Sequence, residues 1–145
     1  MAIRKIAHIG VAVRDLERQV HLYRDLLGLD LINDEVVEDQ KVRVVMFRIG
    51  ESTIELLCPT SDDSPVAKFL KRSGEGIHHV AYEAQDLAEQ LRRLDSQGVE
   101  LIDKSPRRGA HGQQIAFVHP RATFGVLTEL CEPLSGDSVQ QDTAP

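Results

Sequence analysis

An internal repeat limits the folds available to this chain more than any other feature of its sequence. The segment HIGVAVRDLERQV, which begins at His8, is matched about 70 residues later by HVAYEAQDLAEQL, which begins at His79. At a similar offset Glu55 falls on Glu129. Two copies of this length are too few for a solenoid, so the repeat predicts two similar modules within one domain.

The first copy has the pattern of a strand, a helix and further strands. Alternating apolar residues predict a strand over residues 3–13. Asp15 is a candidate N-cap for a helix whose apolar face runs on to Leu27, and Gly28 is its predicted end. Two more strands are predicted at 42–50 and 52–58, joined by a tight turn.

The second copy repeats this order. A strand at 77–84 leads to a helix that carries Leu87, Leu91 and Leu94 on one face and ends at Gly98. Three further strands are predicted at 99–102, 114–119 and 124–130. Each module therefore reads β-α-β-β-β.

The segment between the modules predicts one additional helix over about residues 64–72, with Ser64 as its cap and Pro65 at its first position. We therefore predict a single α+β domain over residues 1–132, in which two βαβββ modules surround a shared cavity. The modules span about residues 3–58 and 75–132. Residues 133–145 are polar and rich in helix and strand breakers, which predicts a flexible tail.

Composition excludes several classes of partner. The 145 residues carry a formal net charge of −6, whereas nucleic acids and anionic membranes select proteins with clustered cations. The sequence therefore predicts no nucleic-acid partner and no membrane partner. No N-terminal apolar run resembles a signal peptide. Two cysteines far apart in the sequence favour reduced thiols and a cytoplasmic protein over a disulfide scaffold.

Two histidines and two glutamates occupy matching positions in the two modules. An approximate two-fold axis would bring His8, His79, Glu55 and Glu129 together as a mixed nitrogen and oxygen site for a divalent ion. Such a site can keep coordination positions open for substrate, as catalytic metals do. A single strand histidine is more often a hydrogen-bonded core residue, but its repetition favours metal. His78 is expected to pack on the opposite face of its strand.

With these residues identified, the chain resembles the vicinal oxygen chelate superfamily, whose members pair βαβββ modules around a metal. Within it, the resemblance is to the methylmalonyl-CoA epimerases. It spans residues 6–132, and the segments that carry it are HIGVAV, ELLCPTSDDSPVAKFL, GEGIHHVAYE, GAHG followed by QQIAFVHP, and FGVLTEL.

The resemblance implies a ligand set. Its metal ligands fall on His8, His79 and Glu129, with the fourth at Glu55. Some family members have Gln at the fourth position, so Glu55 adds a negative charge. The implied cofactor is one divalent metal ion per chain, with cobalt, manganese, zinc and nickel as candidates.

The reaction implied is epimerisation of methylmalonyl-CoA by 1,1-proton transfer through a metal-stabilised enolate. Glu129 and Glu55 are the candidate catalytic residues, because one group must remove the α-proton and another must return it to the opposite face. A base that some epimerases carry falls on Val44, which cannot transfer a proton. The GAHG stretch makes His111 and Gly112 candidate substrate-binding residues.

The implied partners are a coenzyme A thioester and a second copy of the chain. The expected homodimer forms through the first strands and the module edges. The phosphates of coenzyme A could meet any of several cations, namely Lys68, Lys71, Arg72, Arg107 and Arg108.

Two alternatives are open. One is lactoylglutathione lyase (glyoxalase I), a related metalloenzyme whose ligands are also two His and two Glu. The other is a metal-free ligand-binding protein of the same fold, which would have no need of His8, His79, Glu55 and Glu129 together.

Overall fold

The structure is a computed structural model that describes residues 2–134. The tail predicted from residue 133 falls almost entirely outside the described residues. Within residues 2–134, no helix has both the length and the apolar character needed to cross a bilayer.

The described chain forms eight strands and three α-helices. The strands are β1 (Ile3–Ala12), β2 (Asp30–Val37), β3 (Val42–Ile49), β4 (Ser52–Pro59), β5 (Gly76–Ala84), β6 (Arg107–Arg108), β7 (Gln113–Val118) and β8 (Thr128–Pro133). The helices are α1 (Leu16–Val20), α2 (Pro65–Ser73) and α3 (Leu87–Ser96). The order β-α-β-β-β occurs twice, with α2 between the two copies. The predicted α+β class is confirmed.

All eight strands belong to one sheet, in the order β2-β3-β4-β1-β5-β8-β7-β6. The first strands of the two modules, β1 and β5, pair antiparallel at its centre. Each of them is flanked by the last strand of its own module, β4 or β8, in a parallel pairing. Gly10 lies opposite Glu55 in the first of these pairings, and Ala81 lies opposite Glu129 in the second. The registers repeat, as an approximate two-fold axis between β1 and β5 requires.

The helices cover the sheet on different sides. On β3, Val45 and Phe47 pack in one cluster with Leu16 of α1, while Val44 and Met46 pack in another with Val66 and Leu70 of α2. This alternation is the two-residue period of a strand that is buried on both faces. In the second module Leu87 and Leu91 of α3 pack against Ala116 and Leu130. The α2 side of the sheet is the side on which a cavity opens.

Two predicted strands differ in the structure. Residues 99–102 form no strand and contribute only an isolated bridge from Leu101 to Val118, and the short strand of this region is β6 instead. The last strand begins at Thr128 rather than at residue 124. The chain turns in between, because a 3₁₀ turn over Pro120–Thr123 ends with Phe124 in the left-handed conformation.

The first helix also departs from its predicted face. After Val20 the chain continues as a π-helix over His21–Leu26, in which the Leu27 amide donates to the Leu22 carbonyl. The wider π turn shifts the phase of the side chains relative to an α-helix. Leu27 therefore points to solvent, and Leu29 packs in the core cluster instead.

Ser64 joins the linker helix to the first module. Its hydroxyl oxygen accepts a hydrogen bond from the Val66 amide at 3.2 Å, and the hydroxyl donates to the Gln40 carbonyl at 3.4 Å. The residue is fully buried. The predicted cap is confirmed, and it also fixes the turn that contains Gln40.

We expect Ser64→Ala to lower the free energy of unfolding by about 1–2 kcal/mol, because an N-cap is lost and the buried Val66 amide loses its acceptor. Urea unfolding of the variant beside wild type measures this. Ser73→Ala, at the exposed end of the same helix, is the matched control and should change stability by less than about 0.5 kcal/mol. Equal effects of the two substitutions would contradict the capping role.

Candidate metal centre

The four predicted ligands meet in one buried cluster. The two Nε2 atoms of His8 and His79 are 3.0 Å apart. Glu129 places Oε2 at 3.0 Å from His8 Nε2 and Oε1 at 3.8 Å from His79 Nε2, and Glu55 Oε2 lies 3.3 Å from His8 Nε2. None of the four side chains is more than 9% exposed.

Four neighbouring strands supply these side chains. His8 and His79 project from β1 and β5 across the central pairing, while Glu55 and Glu129 come from β4 and β8 on either side. Each module therefore contributes one imidazole and one carboxylate. No module holds more than half of the cluster.

A bulge in β5 sets the direction of its histidines. Gly10 lies opposite His79 and Val11 lies opposite Ile77, so His78 has no partner residue on β1. A bulge inserts one extra residue and re-aims the side chains around it. Both His78 and His79 consequently line the cavity. The prediction that His78 lies on the face opposite His79 is wrong, because strict alternation fails at a bulge.

The first module has a bulge at the matching place. Ile6 lies opposite Tyr82 and His8 lies opposite Ala81, which leaves Ala7 without a partner residue on β5. Ala7 and His78 are thus equivalent positions in the repeat. Both bulges sit immediately before a predicted ligand.

Gly10 makes room for the ring of His79. A Cβ atom at residue 10 would lie 2.3 Å from Cε1 of that ring and 2.5 Å from its Nδ1. Any side chain at this position would push the imidazole away from the cluster. The glycine in HIGVAV is therefore required by the site, since the imidazole crosses directly over the backbone of the neighbouring strand.

Burial dominates the electrostatics of the cluster. It raises the pKa of Glu55 to about 7 and holds the pKa of His79 well below its usual value. Burial also acts to lower the pKa of His8, but the facing carboxylates of Glu55 and Glu129 outweigh it and raise that pKa to about 9. Within the four-residue cluster, these pKa shifts favour a proton on His8 and a neutral His79.

The donor set fits a divalent cation. Ligand atoms that share one ion at about 2.1 Å lie roughly 3–4 Å apart, and the distances from His8 to His79 and from each of these to Glu129 fall in this range. Oε2 of Glu129 is buried and, despite its closeness to His8, makes no hydrogen bond of acceptable geometry. A buried carboxylate oxygen that accepts no hydrogen bond would gain from a bound cation. His8, His79 and Glu129 would hold the ion, with Glu55 beside them.

The cluster forms one wall of a cavity of about 250 Å³. Most of the remaining wall is apolar, and it includes Val42, Val44, Leu57, Ile115, Phe117 and Leu127. Polar side chains outside the predicted ligand set also reach it, namely Asp39, Gln40, His78 and Arg107, the last of which is one of the predicted candidates for the coenzyme A phosphates. Asp39 and Gln40 lie in a 3₁₀ turn, where neither helical nor strand periodicity predicts side-chain direction.

Gln40 presents an unused donor to this cavity. Its Nε2 atom is buried and has no hydrogen-bond partner among the described residues. The backbone around it is fixed, because the Gln40 carbonyl accepts from Ser64 and the Lys41 carbonyl accepts from Thr60. The cavity therefore offers a preorganised donor to a ligand that carries an acceptor oxygen.

The two predicted substrate-binding residues lie beside the cavity. Within residues 2–134, His111 and Gly112 are not among the residues that line it, whereas Ala110 and Gln113 on either side of them are. The His111 amide donates to Glu35 Oε1 at 2.5 Å, which ties this loop of the second module to β2 of the first. Their role in substrate binding stays a prediction.

Comparison with known proteins gives concordant results. The sequence profile of the Glyoxalase/Bleomycin resistance protein/Dioxygenase superfamily matches residues 7–117. The chain is 47% identical over 131 residues to the uncharacterized protein YqjC of Bacillus subtilis (strain 168), a match that covers 90% of this chain and 94% of that protein.

Two characterised relatives are similar over almost the whole chain. The mitochondrial methylmalonyl-CoA epimerase of Dictyostelium discoideum is 35% identical, with 91% of this chain and 80% of that protein covered. The structure of a variant of Streptomyces coelicolor methylmalonyl-CoA epimerase in complex with 2-nitronate-propionyl-CoA superimposes with a TM-score of 0.88 at 38% identity, covering 92% of this chain and 97% of the other. The chain therefore belongs to the glyoxalase/bleomycin resistance/dioxygenase (vicinal oxygen chelate) superfamily, in the family of the methylmalonyl-CoA epimerases.

Proposed function

We propose that this protein is a metal-dependent methylmalonyl-CoA epimerase. The observation that carries the proposal is the convergence of His8, His79 and Glu129 in one buried cavity, at spacings that suit a divalent ion, with Glu55 beside His8. Family membership supports the substrate, because the relatives that act on or bind methylmalonyl-CoA match most of this chain.

The reaction requires groups that remove and return a proton, and an environment that stabilises the negative charge formed in between. The carbon acid of methylmalonyl-CoA lies between a thioester and a carboxylate, so removal of its proton places charge on the thioester oxygen. A bound divalent ion would supply Lewis-acid stabilisation of that charge. The largely apolar wall around the cluster provides a less polar environment than water, which strengthens electrostatic interactions inside the cavity.

Glu129 and Glu55 are the proposed proton carriers. They approach the histidine pair from opposite sides of the sheet centre, which suits removal of a proton from one face of a carbon and return of a proton to the other. Val44 forms part of the cavity wall and has no proton to give. Among residues 2–134, Asp39 is the remaining carboxylate that lines the cavity, and it is therefore the competing second carrier.

The first test is exchange of the α-proton of methylmalonyl-CoA in deuterated water. We expect wild-type protein with metal to exchange this proton and to interconvert the epimers, and Glu129→Gln to be about 10²–10⁴-fold slower, because a general acid–base group is lost. Turnover of the methylglyoxal–glutathione hemithioacetal instead would establish the lyase alternative.

The second test separates Glu55 from Asp39. We expect Glu55→Gln to lower the exchange rate by at least about 10²-fold while Asp39→Asn lowers it by less than about tenfold, because only Glu55 belongs to the buried cluster. Exchange and epimerisation are measured side by side. Near-normal epimerisation by Glu55→Gln, together with a large loss of rate in Asp39→Asn, would identify Asp39 as the second proton carrier.

The third test concerns the metal itself. A divalent ion at a concentration 100-fold above its Kd should stabilise the folded protein by about 2.7 kcal/mol, because it binds the assembled cluster and not the unfolded chain. Thermal unfolding with added ion and with chelator measures this shift. We expect His79→Ala to abolish it, and His21→Ala, which removes an exposed histidine, to retain it. A wild-type protein without bindable metal would favour the metal-free binding alternative.

We also propose a homodimer in the cytoplasm. Since β1 and β5 are each paired on both sides within one chain, the first strands would contribute to a dimer interface through a face of the sheet and not through a strand edge. Among the described strands, β2 and β6 are the free edges of the sheet. Sedimentation of the purified protein measures its oligomeric state.

The proposed compartment rests on the cysteines. Both are free thiols, which suits a reducing compartment.

A further inference from the structure

We propose that His78 is a positioning residue that fixes the ring of His79 in the orientation needed for metal binding. This inference rests on the metal site proposed above but not on the identity of the substrate. Its basis is a contact between two adjacent histidines that an unbulged strand could not make.

Both nitrogens of the His79 ring are engaged. Nε2 faces the cluster, 3.0 Å from His8 Nε2, and Nδ1 lies 2.9 Å from Nδ1 of His78. A neutral imidazole that offers one nitrogen to a metal carries its proton on the other. His79 therefore donates from Nδ1, and His78 accepts with an unprotonated Nδ1. Acceptors in this position are known to orient metal-binding histidines and to raise their affinity.

Packing by itself does not select this ring orientation. The His79 ring is bounded by the Gly10 backbone, the edge of the Phe117 ring at a centroid distance of 5.6 Å, and the His8 ring at 5.1 Å. Turning the imidazole by half a turn about χ2 barely alters its shape, but it replaces Nε2 by a carbon atom at the cluster. On the side of the ring that faces away from the cluster, an acceptor at Nδ1 favours the orientation with Nε2 toward the cluster, and His78 is that acceptor.

His78 is itself held in place. As the extra residue of the β5 bulge it is turned toward the cavity, and its ring meets the edge of Phe69 from α2 at a centroid distance of 4.9 Å. The rings of His78 and His79 are nearly perpendicular, at 86°. The linker helix thus supports the metal site through one aromatic contact.

The repeat shows that the bulge alone does not supply this support. The first module carries Ala7 at the position equivalent to His78, and a methyl group cannot accept a hydrogen bond. The two halves of the site share the bulged backbone but differ in the residue that precedes the histidine ligand, which is Ala7 in the first module and His78 in the second.

Two substitutions separate hydrogen bonding from packing. His78→Phe keeps an aromatic ring beside Phe69 but has no acceptor, whereas Oδ1 in His78→Asn can replace the accepting Nδ1. We expect His78→Phe to weaken Co²⁺ binding about 10–100-fold, and His78→Asn to stay within about threefold of wild type. Competition with a chromophoric chelator measures both affinities on the full-length chain. His21→Phe, at an exposed histidine, is the matched control and should bind Co²⁺ as wild type does.

The visible absorption spectrum of the bound Co²⁺ supplies a readout that loss of packing would not move. We expect the spectrum of His78→Phe to change and that of His78→Asn to match wild type, while the urea midpoints of the metal-free proteins stay alike. Wild-type affinity and spectrum in His78→Phe would overturn the proposal, as would equal weakening in both variants with an unchanged spectrum. A wild-type chain that binds Co²⁺ without epimerising methylmalonyl-CoA would refute the proposed substrate and leave the role of His78 standing.

Discussion

The antiparallel pairing of β1 with β5 is the contact on which the rest of the structure depends. It joins the modules into one sheet and places the approximate two-fold axis between the strands that carry His8 and His79. The parallel pairing of each with the last strand of its own module then brings Glu55 and Glu129 to the same place. The central register and the two parallel registers beside it therefore determine the cluster together.

Burying the side chains of this cluster costs electrostatic free energy, and this cost accounts for their shifted pKa values. Two carboxylates are removed from water beside two imidazoles, and burial is the main reason that the pKa of Glu55 and that of His79 depart from their usual values. Groups of this kind cluster in proteins where a cation or a reaction makes use of them. The surrounding apolar wall makes the same groups effective toward a substrate, because charges interact strongly where water is excluded.

Much of this could be predicted from the sequence, because the repeat encodes both the module order and the pairing of ligands. The caps at Asp15 and Ser64 also act through local hydrogen bonds that the sequence specifies. Sequence periodicity failed where the backbone leaves regular geometry. At His78 strand alternation fails because of a bulge that arises only from strand pairing, and at Leu27 helical periodicity fails because the preceding π-helix shifts the phase of the side chains. The position of Asp39 and Gln40 in the cavity wall was not predicted, because the residues of a turn have no periodicity that indicates side-chain direction. Their position depends on tertiary contacts.

The division of the ligand set between the modules has a consequence for how the protein matures. During synthesis the segment that carries His8 and Glu55 leaves the ribosome first, and the segment that carries His79 and Glu129 follows only later. Until then the central strand β1 has one open edge and half a set of ligands. The proposed metal ion would therefore find a complete site only after the second module has been synthesised and has paired with the first.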